Sequence, residues 1–201
     1  MKIICIGRNY KLHAKELGNK VPKEPIFFLK PDSAILPKRN PFYVPNFSKD
    51  IHYEVELIIK IKKLGKSITL DFARDYYSEV GLGIDFTARD IQEKCKKLGH
   101  PWEISKAFDQ SAVISEEFIS FKSFNNINFC LKKNDVIVQK GNSKNMIFNP
   151  NQIIHHVSQF MTLKIGDLIF TGTPSGVGPV SIGDKLEGFI GEEKMLSVNI
   201  R

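Results

Sequence analysis

The sequence predicts an α+β chain that is predominantly β. Three observations predict it. His52-Tyr53-Glu54-Val55-Glu56-Leu57 runs on into Ile58-Ile59-Lys60-Ile61, a β-branched, apolar segment too regular in its alternation for a loop. The stretch from Val21 to Pro45 is broken repeatedly by proline, which confines its extended pieces to edges and loops. After Phe108 the chain reads mostly as strands, interrupted by one well-capped helix. At 201 residues it can bury a sizeable core as one domain spanning 1–201.

In order, Lys2 to Ile6 reads as a short strand ended by Gly7. Asn9 to Leu17 is a weak helix closed by Gly18-Asn19, with poor apolar spacing, so it depends on contacts elsewhere. His13 and Glu16 are neighbours on one face of it. They read either as a surface ion pair or as a general base whose tautomer a carboxylate sets. Ile26 to Lys30 is the clearest extended piece of the proline-rich stretch.

Alternation along the next strand puts Glu54 and Glu56 on one side, with Cα atoms roughly 6.5–7 Å apart. Two carboxylates that close on a half-buried strand repel each other and need a cation. A hard divalent ion such as Mg²⁺ fits, and a solvated strand face is the alternative. Thr69 reads as the cap of a helix over Leu70 to Ser78, with Leu70, Ala73 and Tyr77 on one side. Val80-Gly81-Leu82-Gly83-Ile84-Asp85 is a strand with room for close approach. It turns into a helix that runs to Gly99, with Thr87 and Asp90 resembling a capping box. Asp85, at the strand end, either caps that helix or belongs to a site. Arg89 and Gln92 share a face one turn inside it.

Trp102 to Phe108 reads as strand-like, with Lys106 opposite Ser105. Ile127 to Leu131 and Val136 to Gln139 form a hairpin around Lys132-Lys133-Asn134-Asp135. Asn149 caps a helix with Pro150 at its first position and Ile153, Ile154, Val157, Phe160 and Met161 as its buried stripe. His155 and His156 on that helix lack partners at metal spacing and read as surface or packing residues. Thr171-Gly172-Thr173-Pro174-Ser175-Gly176-Val177-Gly178 is a glycine-rich loop without the helix or Gly-Lys-Ser/Thr ending of a phosphate loop. It reads as a tight turn, or as a source of N–H groups and the Thr173 hydroxyl for a carboxylate.

Net charge is +7, but the lysines lie in scattered clusters with no stacking aromatics between them. This argues against nucleic acid and for a solvated surface that steers anionic substrates. Cys5, Cys95 and Cys130 form no C-x-x-C pair and suit reduced thiols in the cytoplasm. No signal peptide or membrane span is expected.

Gly7-Arg8-Asn9-Tyr10 with His13 and Glu16, then His52 to Leu57, Asp85 to Asp90, Ser105 to Phe108 and Thr171 to Gly178 together resemble the fumarylacetoacetate hydrolase family. The short members acting on acylpyruvates and oxaloacetate are the nearest in pattern. The resemblance implies a mixed β-roll, a homodimer, and Mg²⁺ or Mn²⁺ held by Glu54, Glu56 and Asp85. It implies that Arg89, Gln92, Lys106 and Thr173 line the substrate pocket, and that His13 and Glu16 form a dyad on a lid helix over about residues 9–18. It further implies that a 2-oxo acid chelates the ion and that Lys106 stabilises an enolate as a bond beyond C3 breaks. Hydrolysis of acylpyruvates and decarboxylation of oxaloacetate are the leading reactions, with isomerisation or hydration of unsaturated 2-oxo acids as the alternative. A catalytically silent metal-binding protein is the other class to weigh.

Overall fold

The computed structural model describes residues 1–121 and 123–201. The chain opens with β1 (Ile3–Gly7), α1 (Lys11–Glu16) and β2 (Ile26–Lys30). Next come β3 (Ile51–Tyr53), β4 (Val55–Lys60), β5 (Glu79–Asp85), β6 (Thr87–Ala88), α2 (Arg89–Leu98) and α3 (Glu103–Lys106). The second half holds β7 (Ala112–Ile114), β8 (Ile119–Ser120), β9 (Asn128–Lys133), β10 (Val136–Asn142) and α4 (Pro150–Phe160). It ends with β11 (Leu168–Phe170), β12 (Gly178–Pro179), β13 (Lys185–Ile190) and β14 (Glu193–Asn199). Strands dominate, as expected.

The main sheet has the order β2-β1-β11-β4-β5-β7, with β8 added beside β5. Among the described strands of this sheet, only β1 and β11 pair in parallel. An antiparallel sheet β10-β9-β13-β14 packs against it, and β12-β3-β6 forms a small third sheet. Alternation along β4 sends Val55, Leu57 and Ile59 into the large core with Leu131, Leu186 and Val198. Ile58 faces the other way, into a second cluster with Ile3, Cys5 and Phe170. Both faces of β4 are therefore covered. Gly83 lies opposite Glu56, where a methyl group would come 2.6 Å from the Val113 carbonyl and 2.5 Å from Ile58. The glycine is what lets β4, β5 and β7 close together on the site's side.

Several local expectations change. Trp102 to Phe108 is no strand: Ser105 and Ala107 donate back to the carbonyls of Trp102 and Glu103, closing the single turn α3. Ile104 points to solvent, so the apparent alternation has no buried face to satisfy. Leu70–Tyr76 is a tight three-residue-per-turn helix, without a side-chain cap from Thr69 and with Leu70 exposed. Thr87 does not cap α2, since it lies in β6 against His52. Asp90 instead accepts from Ser48 Oγ and the N–H groups of Lys49 and Ile91. On α4 the capping box of Asn149 and Gln152 forms, but Phe160 faces outward. His156 packs between Phe27 and Phe160, while His155 stays on the surface with its Nδ1 2.7 Å from the Ile68 carbonyl. Among the described residues no helix is long and apolar enough to cross a membrane.

Candidate active site

Three carboxylates converge where β4 begins and β5 ends. Glu54 sits between β3 and β4, Glu56 inside β4 and Asp85 at the end of β5, and the Asp85 N–H donates to the Glu54 carbonyl at 2.9 Å. One ligand oxygen from each lies within 4.8 Å of the others, and all three residues are buried. The strand period anticipated the first pair. The antiparallel register supplies the third.

Their charges are compensated unequally. The Lys106 ammonium lies 2.8 Å from both Glu54 and Asp85 and donates to Thr87 Oγ1 at 2.6 Å. Arg89 donates to Glu54 at 2.5 Å and to Gln92 at 2.6 Å. Burial opposes ionisation of Glu54, but Lys106 and then Arg89 outweigh it and hold the carboxyl well below its ordinary range. Lys106 is raised, since the pull of Asp85 and Glu54 overcomes its burial. Glu56 has no such partner among the described residues. Burial, then Asp85 and Glu54, push its carboxyl well above the ordinary value, against one hydrogen bond of 2.7 Å from the Gly172 N–H. That imbalance, in a set of hard oxygen donors, fits a divalent cation, which would satisfy Glu56 together with Glu54 and Asp85.

Lys30 belongs to the same cluster. Fully buried at the end of β2, it donates to Ser111 Oγ at 2.8 Å and to the carbonyl of Lys106. Its ammonium is 2.8 Å from Asp85 Oδ1, at an angle that leaves that oxygen without a hydrogen bond proper. Its signal in the sequence was a lone charge closing an apolar strand before proline. Gln139 is a second residue that sequence reasoning missed. Its amide accepts from the Val55 N–H and donates to Thr173 Oγ1 and the Pro174 carbonyl, each at 2.9 Å.

Helix α1 borders this cluster through His13. His13 is buried, contrary to a surface ion pair, with Nδ1 3.4 Å from the half-buried Glu16 carboxylate. Burial lowers its pKa despite the opposing pull of Glu54 and Glu16, so the imidazole is neutral at pH 7. Glu16 also accepts from the Gly176 N–H at 3.0 Å. The glycine-rich loop thus does offer N–H groups to carboxylates, and they are the chain's own: Glu16 and Glu56. Asn9 anchors the start of α1 by donating to the carbonyls of Thr171 and Phe148. Gly172, at φ +100°, passes so close that a methyl group there would meet the Asn9 side chain at 2.6 Å.

Among these groups lies a cavity of about 30 Å³, room for roughly one water, lined by His13, the three carboxylates, Arg89, Gln92, Lys106 and Thr173. The Nε–H of Arg89 is buried without a partner. Thr173 spends its hydroxyl proton on the Val55 carbonyl, so its backbone N–H is the donor left for a ligand. Eight of the nine residues expected at the site line this cavity, and the ninth, Glu16, reaches it only through His13. A larger surface hollow of about 400 Å³ is lined by Lys38, Arg39, Glu116, Glu117, Glu193 and Lys194, but all six are exposed, unlike the buried charges here.

A model of the fumarylacetoacetate (FAA) hydrolase C-terminal family matches residues 2–200. The chain is 47% identical over 190 residues to the mitochondrial oxaloacetate decarboxylase of Dictyostelium discoideum, an alignment covering 92% of this chain and 87% of that one. It is 40% identical over 191 residues to the mitochondrial oxaloacetate tautomerase FAHD1 of Bos taurus, covering 94% and 86%. Among solved structures, fumarylpyruvate hydrolase from Pseudomonas aeruginosa in complex with Mn²⁺ and pyruvate superposes with a TM-score of 0.92 at 34% identity, covering 100% of this chain and 89% of that one. With the family model matching nearly the whole chain and relatives at 40% identity or more over nine-tenths of it, the chain belongs to the fumarylacetoacetate hydrolase family.

Proposed function

We propose that this protein is a divalent-metal-dependent enzyme of small 2-oxo acids that passes through the enol or enolate of its substrate, with oxaloacetate as the foremost candidate. The observation that carries the reading is the buried Glu54–Glu56–Asp85 cluster with the Lys106 ammonium beside it. The names of the two oxaloacetate-acting relatives and the Mn²⁺–pyruvate complex of the hydrolase support it. Glu54, Glu56 and Asp85 would hold Mg²⁺ or Mn²⁺, whose oxygen-donor needs they meet equally well. When bound, the ion supplies Lewis-acid polarisation of a 2-oxo group.

The chain's own groups do the rest. Arg89, through its free Nε–H, and Gln92 orient the substrate carboxylate. Lys106, held in a low-dielectric pocket, stabilises negative charge on the enolate oxygen. Neutral His13 accepts a proton and Glu16 steadies the ring. In tautomerisation that proton leaves C3 and returns to oxygen. In decarboxylation the C3–C4 bond breaks, CO₂ departs and the enolate is protonated at C3. The dyad also favours a second reading, hydrolysis of acylpyruvates: His13 takes the proton from water attacking the distal (C4) carbonyl, the C3–C4 bond breaks to release a carboxylic acid and the pyruvate enolate, and the proton is returned to C3. The one-water cavity requires α1 to lift before any of these substrates enters. The homodimer is part of the proposal, checked by sedimentation, as is a reducing, cytoplasmic setting for the free thiols of Cys5, Cys95 and Cys130.

The test follows ultraviolet loss of oxaloacetate enol and of acetylpyruvate, with CO₂ release, in Mg²⁺ and in chelator, beside Glu54→Gln. Metal-dependent conversion of either substrate, lost in the variant, is the expected result. Inactivity on both with metal bound would reject the substrate assignment.

A further inference from the structure

The α2 face that carries Arg89 and Gln92 continues one turn further to Lys96, which lines the same cavity. Arg8, just after β1, lines it from the other side. Arg8 is a non-glycine residue at φ 58°, the left-handed backbone region that L-residues adopt at a cost, and its guanidinium lies 5.9 Å from the centre of the Trp102 ring. Trp102 packs in turn against Phe28, over which the Lys106 ammonium sits at 5.2 Å. The mouth of the site therefore has an aromatic wall and two cations that the proposed chemistry does not use.

Neither cation forms an ion pair among the described residues. Partial burial, then the positive charges of Arg8 and Arg89, lower the Lys96 pKa, with Glu93 only partly offsetting them. Like charges held together at a cavity mouth are relieved by an anion. Around the cavity, Arg8, Arg89, Lys96 and Lys106 face three carboxylates. A divalent ion would leave a cationic surplus larger than a monoanionic substrate neutralises.

We infer that Arg8 and Lys96 form a subsite for a second, distal carboxylate, so that the site selects dianionic 2-oxo acids over monoanionic ones. This rests on the 2-oxo acid reading above. It adds specificity-determining residues to that reading and separates oxaloacetate-like substrates from neutral-tailed acylpyruvates.

The experiment is calorimetric binding of pyruvate and 2-oxoglutarate to the full-length Mg²⁺-loaded protein, wild type against Arg8→Gln and Lys96→Gln. Lys96 lies on an exposed helix turn, so its variant keeps the test alive if Arg8→Gln misfolds. Wild type is expected to prefer the dianion by about tenfold or more, and each variant to lose about tenfold on 2-oxoglutarate with pyruvate within about twofold. Equal affinity of the wild type for both acids, or an unchanged preference in the variants, overturns the subsite and leaves the 2-oxo acid reading standing. Failure of the wild type to bind either acid overturns both.

Discussion

Glu54 and Glu56 are two residues apart and chemically alike, yet their surroundings assign them opposite energetic roles. Glu54 pairs with both Lys106 and Arg89, while Glu56 has no cation of its own among the described residues. In chelator, Glu54→Gln leaves buried Arg89 without its carboxylate and Lys106 with Asp85 alone, and should cost about 3–5 kcal/mol of stability. Glu56→Gln swaps an uncompensated carboxyl for a neutral group of the same shape and should leave the metal-free melting temperature unchanged or higher. Both should lose Mg²⁺ binding by calorimetry. Equal melting losses in chelator would contradict this division of charge. At His13, burial lowers the pKa, so the base is in its working, neutral form above that value. The acid limb of the rate profile should fall below the ordinary imidazole value of about 6.5. His13→Ala should damage acetylpyruvate hydrolysis more than oxaloacetate decarboxylation, since only hydrolysis needs water activated. Equal losses would remove the dyad from that role.

At the scale of elements, β4 and β5 position the site through pleat and register, and Gly83 sets how closely they pack. Gly83→Ala would press a methyl group on the Val113 carbonyl, Ile58 and Phe170, and overpacking of this kind costs about 1–3 kcal/mol. Thermal melting of the variant measures it. At the other end of the main sheet, Asp167 ties the turn before β11 to β1, accepting from the N–H groups of Lys2 and Lys164 at 2.8 Å and from the Lys2 ammonium. Burial opposes its ionisation, but Lys2 and Lys164 prevail and lower its pKa. Its contribution is therefore present above the ordinary aspartate value of about 3.9 and fades as pH drops through the lower folded value. Asp167→Asn should melt earlier at neutral pH, with the gap to wild type closing in acid.

What could be read from the sequence divides along the same lines. Period-two alternation placed Glu54 and Glu56 on one face, and the two-residue Asn134-Asp135 turn and the Asn149-Pro150 cap are local signals that tertiary contacts did not override. The α3 turn was misread as a strand because Ile104 alternates in sequence without being buried. Thr87 was misread as a cap because its real partner, Lys106, is 19 residues away. Lys30 and Gln139 escaped notice because their roles exist only once β2 and β10 are laid beside the cluster.

For the molecule as a whole, metal binding is folding energy. An ion that binds only the folded chain adds about 2.7 kcal/mol at a hundredfold excess over its dissociation constant. Melting should rise with Mg²⁺ in wild type and stay flat in Asp85→Asn. The glycine-rich loop gives this a further consequence. Gly172 holds Glu56 of the carboxylate cluster, and Gly176, four residues on, holds Glu16 of α1, the proposed lid. Whatever steadies one end of this short segment steadies the other, and such linkage is reciprocal. Amide hydrogen exchange across α1 should therefore slow when Mg²⁺ is added without substrate, and closing the lid should tighten the hold on the ion by the same factor.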